Sequence, residues 1–112
     1  MSIEINGKTI ETNDNGYLLN QQDWNEDVAK YLAAEEGIEL TDRHWDVINY
    51  LREEYFSNNQ NQPNERTILK AMSAKWNEKI AQKDTFNLFP KMPSKQGGKV
   101  AGLPESRRKG GY

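Results

Sequence analysis

Lys95-Gln96-Gly97-Gly98-Lys99-Val100-Ala101-Gly102-Leu103-Pro104 is the stretch on which the reading of this chain turns. Ser94 can cap a short helix running through Ala101, and Gly102 and Pro104 end it. Gly97 and Gly98 weaken that helix by about 1 kcal/mol each relative to alanine. Beyond it the chain continues Glu105-Ser106-Arg107-Arg108-Lys109-Gly110-Gly111-Tyr112. Residues 91–112 hold six Lys/Arg against one Glu, whereas residues 1–90 hold nine Lys/Arg against sixteen Asp/Glu. An acidic body with a basic end follows. That end is either a solvated terminus or an arm that docks on an acidic partner, on phosphate, or on the chain's own body.

Upstream of the stretch the apolar residues recur at helical spacing. Asp84 can cap a short turn carrying Phe86, Leu88 and Phe89, closed by Pro90. Pro63 suits the first turn of a longer helix whose apolar stripe is Leu69, Met72, Trp76 and Ile80, with Ile68 alongside. The polar run Ser57–Gln62 is a loop. Before it, Thr41 caps a helix bearing Trp45, Ile48, Leu51 and Tyr55, with Val47 and Phe56 widening the stripe. Asn25 caps an earlier helix, with Glu26 and Asp27 in its first turn and Trp24 placed as a hydrophobic staple. Gly37 ends it. Residues 1–20 read differently: Asn6-Gly7 is a two-residue hairpin signal between Ile3/Ile5 and Thr9/Ile10. Asn13-Asp14-Asn15-Gly16 marks a second turn before Tyr17-Leu18-Leu19. The expected architecture is α+β: a small N-terminal β-meander of two or three strands packed on an array of about five helices, with a flexible C-terminal tail. The expected organisation is one domain over residues 1–104 and a basic tail over 105–112.

Composition narrows the chemistry. The 112 residues include no cysteine and one histidine. Disulfides, thiolate metal sites and thiol redox chemistry are excluded for this chain, and so is an imidazole-rich metal site. No cofactor is implied. With no leader pattern and no long apolar run, the expectation is a cytoplasmic protein without membrane contact. The polar composition favours a monomer.

The ordered set of short motifs resembles the DsrC/TusE family of sulfur-relay proteins. Asn15-Gly16-Tyr17-Leu18 and Asp23-Trp24 match near the N-terminus. Leu40-Thr41, His44-Trp45-Asp46 and Leu51-Arg52 match in the middle, followed by Arg66, Leu69, Lys70 and Ala71. Leu88-Phe89-Pro90, Pro93-Ser94-Lys95-Gln96 and Ala101-Gly102-Leu103-Pro104 lead to the tail. The resemblance implies the same order of elements. It also implies partners of the sulfur relay: a TusBCD- or DsrEFH-type sulfur-transferring complex, a tRNA-thiolating enzyme, or a sulfite-reductase-type assembly. Sulfur-carrying members hold their sulfur on a cysteine next to the last residue. Counted from the C-terminus, that place is Gly111 here; counted forward from Pro104, it is Lys109. A second cysteine of some members falls at Gly98. Sulfane sulfur needs a thiolate, so none of these positions can carry it. The chain is then a cysteine-free paralogue that docks, a relative whose tail serves another purpose, or an altered sequence.

The expected function is docking on sulfur-relay partners by a chain that is not an enzyme and has no catalytic residue of its own, so the candidate residues are partner-binding ones: Arg66 on the body, and Lys95, Lys99, Arg107, Arg108, Lys109 and Tyr112 in the basic end. His44, flanked by Asp42 and Asp46, is read as structural or solvated rather than as a general base. The pairs Glu35/Glu36, Glu53/Glu54 and Asp42/Asp46 are read as solvated faces, and the three tryptophans as packing residues. The alternative function is a helix-turn-helix-like nucleic-acid-binding regulator. Its second helix would carry Arg66, Lys70, Lys75 and Lys79, and the tail would add phosphate contacts.

Overall fold

A computed structural model describes residues 1–105 of the chain. Strands β1 (Ser2–Ile5) and β2 (Lys8–Glu11) form an antiparallel hairpin in which Ile3 faces Ile10 and Ile5 faces Lys8. Asn6 and Gly7 both take positive φ, 52° and 80°, as the two-residue primed turn requires. The meander has two strands, within the expected two or three, and beyond β2 a single bridge joins Thr12 and Leu18. Pairing stops there because the chain turns at Asn20 into a 3-10 turn.

A 3-10 turn (Gln21–Asp23) leads into α1 (Glu26–Glu35), then α2 (Asp42–Ser57), α3 (Glu65–Trp76), α4 (Gln82–Leu88) and α5 (Pro93–Val100). Asn25 caps α1 by accepting from the Val28 N–H, and Gly37 follows the helix with φ 72°. Thr41 occupies the N-cap of α2 as expected.

Three expected starts move. The cap of α3 is Asn64, which accepts from the Thr67 N–H, and Pro63 lies buried ahead of it rather than in the first turn. Asp84 sits within α4, where its carboxylate accepts from the Ala81 N–H. Ser94 lies inside α5, after Met92 and Pro93; its backbone N–H and hydroxyl both donate to the Glu65 carboxylate. Glu65 is 0 % exposed and, from the first turn of α3, fixes the start of α5. The stripe of α3 is also shorter than expected. The helix ends at Trp76, so Ile80 is buried from the connection that follows.

The quoted stretch turns out to be the hub of the fold. α5 packs on α1, α2, α3 and α4, and buries Pro93, Gln96, Gly97, Gly98 and Val100. Around it lie Val28 and Leu32 of α1, Val47, Ile48 and Leu51 of α2, Ile68 and Met72 of α3, and Phe89. Ile10 and Leu18 close the core from the hairpin side. The reason for a glycine in this helix is explicit at Gly97. A Cβ there would stand 3.1 Å from Leu51 Cδ1 and 3.6 Å from the Phe89 ring, so the missing side chain lets α2 approach. Gly98 differs, because a Cβ there would meet nothing within 4 Å. Gly98→Ala should therefore raise stability by about 0.5–1 kcal/mol through helix propensity. Gly97→Ala should lose that gain to the Leu51 contact. Urea unfolding midpoints of the two variants check the contrast.

His44 is structural. Its Nε2 donates to the Leu88 carbonyl at 2.9 Å, and its Nδ1 accepts from the Thr41 N–H at 3.0 Å. The ring meets Phe89 edge-on at 5.2 Å. Burial lowers its pKa, against a smaller raising effect of the Leu88 carbonyl. A histidine with a depressed folded-state pKa binds fewer protons folded than unfolded. The stability it contributes is full above the unfolded-state pKa of about 6.5 and is lost as pH falls through the folded-state value. Because His44 is the sole histidine, wild type should lose unfolding free energy on acidification through this window, and His44→Gln should lose markedly less.

Candidate functional site

α5 ends in a left-handed glycine cap. The Gly102 N–H donates to the Lys99 carbonyl and the Leu103 N–H to the Gly98 carbonyl, the paired bonds of a Schellman motif, with Gly102 at φ 75°. The chain that leaves this cap is then gripped by side chains from four other segments. Trp24 Nε1 donates to the Val100 carbonyl at 2.8 Å. Arg52 Nη1 donates to the Ala101 carbonyl at 2.7 Å. Gln62 Nε2 donates to the Pro104 carbonyl at 2.9 Å. The Glu105 carboxylate accepts from Asn13 Nδ2 at 2.8 Å and from Asn15 Nδ2 at 2.8 and 3.1 Å. The base of the C-terminal segment is thus held from Val100 to Glu105.

Arg52 anchors this grip. Its guanidinium lies 3.8 Å from the Trp24 ring centroid and 4.8 Å from that of Phe56. Burial lowers its pKa, yet a guanidinium stays charged at neutral pH. Trp24 is therefore a platform for Arg52 and a donor to α5. Phe56 does not widen the core stripe; it is 48 % exposed beside Arg52.

Beside the grip runs a polar network. Glu36 accepts from Gln96 Nε2 at 3.1 Å and pairs with Lys99 Nζ at 3.6 Å. Burial pushes the Glu36 carboxyl up, but the Gln96 hydrogen bond and the charges of Lys99 and Lys91 outweigh it, and its pKa is lowered overall. Tyr17 donates its hydroxyl to the Lys95 carbonyl at 3.2 Å, with Lys99 Nζ 5.9 Å from its ring. Burial raises the Tyr17 pKa, and the charges of Glu105 and Glu36 add to it. Glu36 and Asp46 therefore correct the solvated reading of their pairs. Glu36 serves α5, and Asp46 accepts from Trp76 Nε1 at 2.7 Å.

Of the expected partner-binding residues, the structure brings Lys95 and Lys99 together on one face of α5. Arg66 is exposed in the first turn of α3 and lies outside the network around Lys99. Gly98, the second cysteine's place, is buried with open space beyond its Cα. Arg107, Arg108, Lys109, Gly111 and Tyr112 lie outside the described residues. Lys79 falls beyond the end of α3, so that helix carries three of the four basic residues expected for a nucleic-acid-reading helix.

The sequence reading did not single out Arg52, Gln62, Asn13, Asn15 or Glu36 as site residues. A signal existed for Arg52. It stands four residues after Ile48, on the buried side of an amphipathic helix, where a charge needs a partner.

The family model for DsrC-like proteins matches residues 4–108. This chain belongs to the DsrC-like family. Within it, the chain is 45% identical to the sulfurtransferase TusE homolog of Haemophilus influenzae over 104 residues, covering 92% of this chain and 94% of that one. It is 43% identical to the sulfurtransferase TusE of Yersinia pestis over the same length. The solution structure of Allochromatium vinosum DsrC superposes with a TM-score of 0.85 at 40% identity, covering 97% of this chain and 99% of that one. The crystal structure of the oxidized gamma-subunit of dissimilatory sulfite reductase (DsrC) from Archaeoglobus fulgidus superposes with a TM-score of 0.88 at 29% identity and the same coverage. The DsrC-like fold thus accounts for the hairpin, the five helices and the position of α5. Among the described residues, no helix is long and apolar enough to cross a membrane.

Proposed function

We propose that this DsrC-like chain works as a docking member of a sulfur relay and carries no sulfur itself. The observation that carries this reading is a match along residues 4–108 in a chain with no cysteine. A persulfide or trisulfide needs thiolate sulfur, and neither Gly98, Lys109 nor Gly111 supplies it. The relatives' sulfurtransferase name is therefore not extended to the chemistry of this chain. Its partners are those of the family: a TusBCD- or DsrEFH-type complex, a tRNA-thiolating enzyme, or a sulfite-reductase-type assembly.

Docking runs through the basic end, from Lys95 and Lys99 to Arg107, Arg108, Lys109 and Tyr112, with Arg66 as a further anchor. Support comes from the grip on Val100–Glu105, which sets where the terminal residues leave the body. A preset exit lowers the ordering cost of binding.

The test compares the full chain with a chain truncated after Pro104, each immobilised against a purified TusBCD- or DsrEFH-type complex. The full chain should retain the partner and the truncated chain should lose most of it. Equal recovery from both would sink docking through the tail.

A further inference from the structure

Between the Asn13–Tyr17 turn and α5 lies an open cavity of about 230 Å³, bordered by Tyr17, Glu36, Lys91, Lys95, Lys99 and Glu105. The charges on its rim are not equivalent. Both carboxylates are already served: Glu36 by Gln96 and Lys99, and Glu105 by Asn13 and Asn15. Among the described residues, the ammonium groups of Lys91 and Lys95 have no hydrogen-bond or ion-pair partner. Lys91, in the turn before α5, and Lys95 and Lys99, one turn apart on α5, all border the cavity, so one side of it is a cationic edge.

We propose that this cavity receives a carboxylate-bearing segment of an acidic partner protein, an Asp or Glu side chain or a chain terminus seated between Lys91 and Lys95. This deepens the docking reading and rests on it. The alternation of sign around the rim selects that occupant over a polyanion. A nucleic-acid backbone carries a charge at every nucleotide and would press phosphates against Glu36 and Glu105. A single carboxylate meets the ammonium groups of Lys91 and Lys95, which have no ion pair among the described residues, and leaves the internal pairs intact. Lys99 acts as a positioning residue, because Glu36 holds it beside the Tyr17 ring.

The test is an NMR titration of the full ¹⁵N-labelled chain with the blocked peptide acetyl-Gly-Gly-Glu-Gly-Gly-amide, which carries one carboxylate, at low salt. The amides of Tyr17, Lys91, Lys95 and Lys99 should shift together. The double variant Lys91→Gln/Lys95→Gln, which removes no hydrogen bond or ion pair seen among the described residues, should bind roughly tenfold more weakly. Salt at about 0.5 M should abolish the shifts. Three results overturn the proposal: no shifts at these amides, unchanged affinity in the double variant, or an oligothymidylate or inorganic phosphate producing the same shifts at lower concentration. A chain that fails this titration yet still retains the relay complex in the truncation experiment leaves docking standing and removes this cavity from it.

Discussion

Gly102→Ala should be the most damaging single substitution in the chain, lowering stability by about 2–4 kcal/mol. Two costs combine. At φ 75° any L side chain is strained. A Cβ at this position would also stand 2.3 Å from Trp24 Cδ1, 2.5 Å from Cγ and 2.7 Å from Cβ. Those are atoms of a side chain held in place by its own bond to Val100 and by the Arg52 guanidinium on its ring, so relief by a small shift is blocked. Either the cap unwinds or Trp24 leaves its seat. Urea unfolding with tryptophan fluorescence reads both. The midpoint should fall, and native emission should change if Trp24 is displaced. A midpoint within experimental error of wild type would show that the close approach of Gly102 to Trp24 is wrong.

Arg52→Ala should cost about 2–3 kcal/mol. The Ala101 carbonyl loses its side-chain donor, and Trp24 and Phe56 lose the cation between them. Arg52→Lys should rescue little. An ammonium cannot present a planar group to two rings while donating to a carbonyl. The functional consequence differs from that of Gly102→Ala. With Arg52 gone, the cap of α5 remains, but the exit of the C-terminal segment is no longer set. Partner retention should therefore fall by more than the loss of folded protein explains. Backbone ¹⁵N relaxation at Leu103 and Glu105 should report greater motion relative to the core of α5. Unchanged relaxation at those residues would contradict the grip.

The local signals in the sequence translate directly into structure. Asn6-Gly7 makes its primed turn because both positions tolerate positive φ, and Asn25 and Thr41 cap their helices where the apolar stripes begin. What sequence hides is long-range. Gly97-Gly98 reads as a weakness in a short terminal helix, yet α5 is the element on which the other four helices pack. The weak intrinsic propensity is offset by burial, and only a three-dimensional contact, Gly97 against Leu51, explains one of the two glycines. Glu36 reads as a surface acid, and nothing local marks Glu65 as buried, because their partners, Ser94, Gln96 and Lys99, lie 29 to 63 positions away. The site is similar. Lys95 and Lys99 are legible as a basic face, whereas the hands that hold the tail base come from segments with no shared pattern.

The central claim is that the chain occupies a relay partner without taking its sulfur. The most direct measurement follows labelled sulfane sulfur from a TusBCD- or DsrEFH-type donor to a cysteine-bearing TusE homologue while this protein is added in increasing amounts. We predict that transfer falls progressively, that the Gly102→Ala and truncated chains compete poorly, and that no label appears on this chain. Transfer that continues undiminished at a large molar excess of the full chain would contradict docking at the shared site.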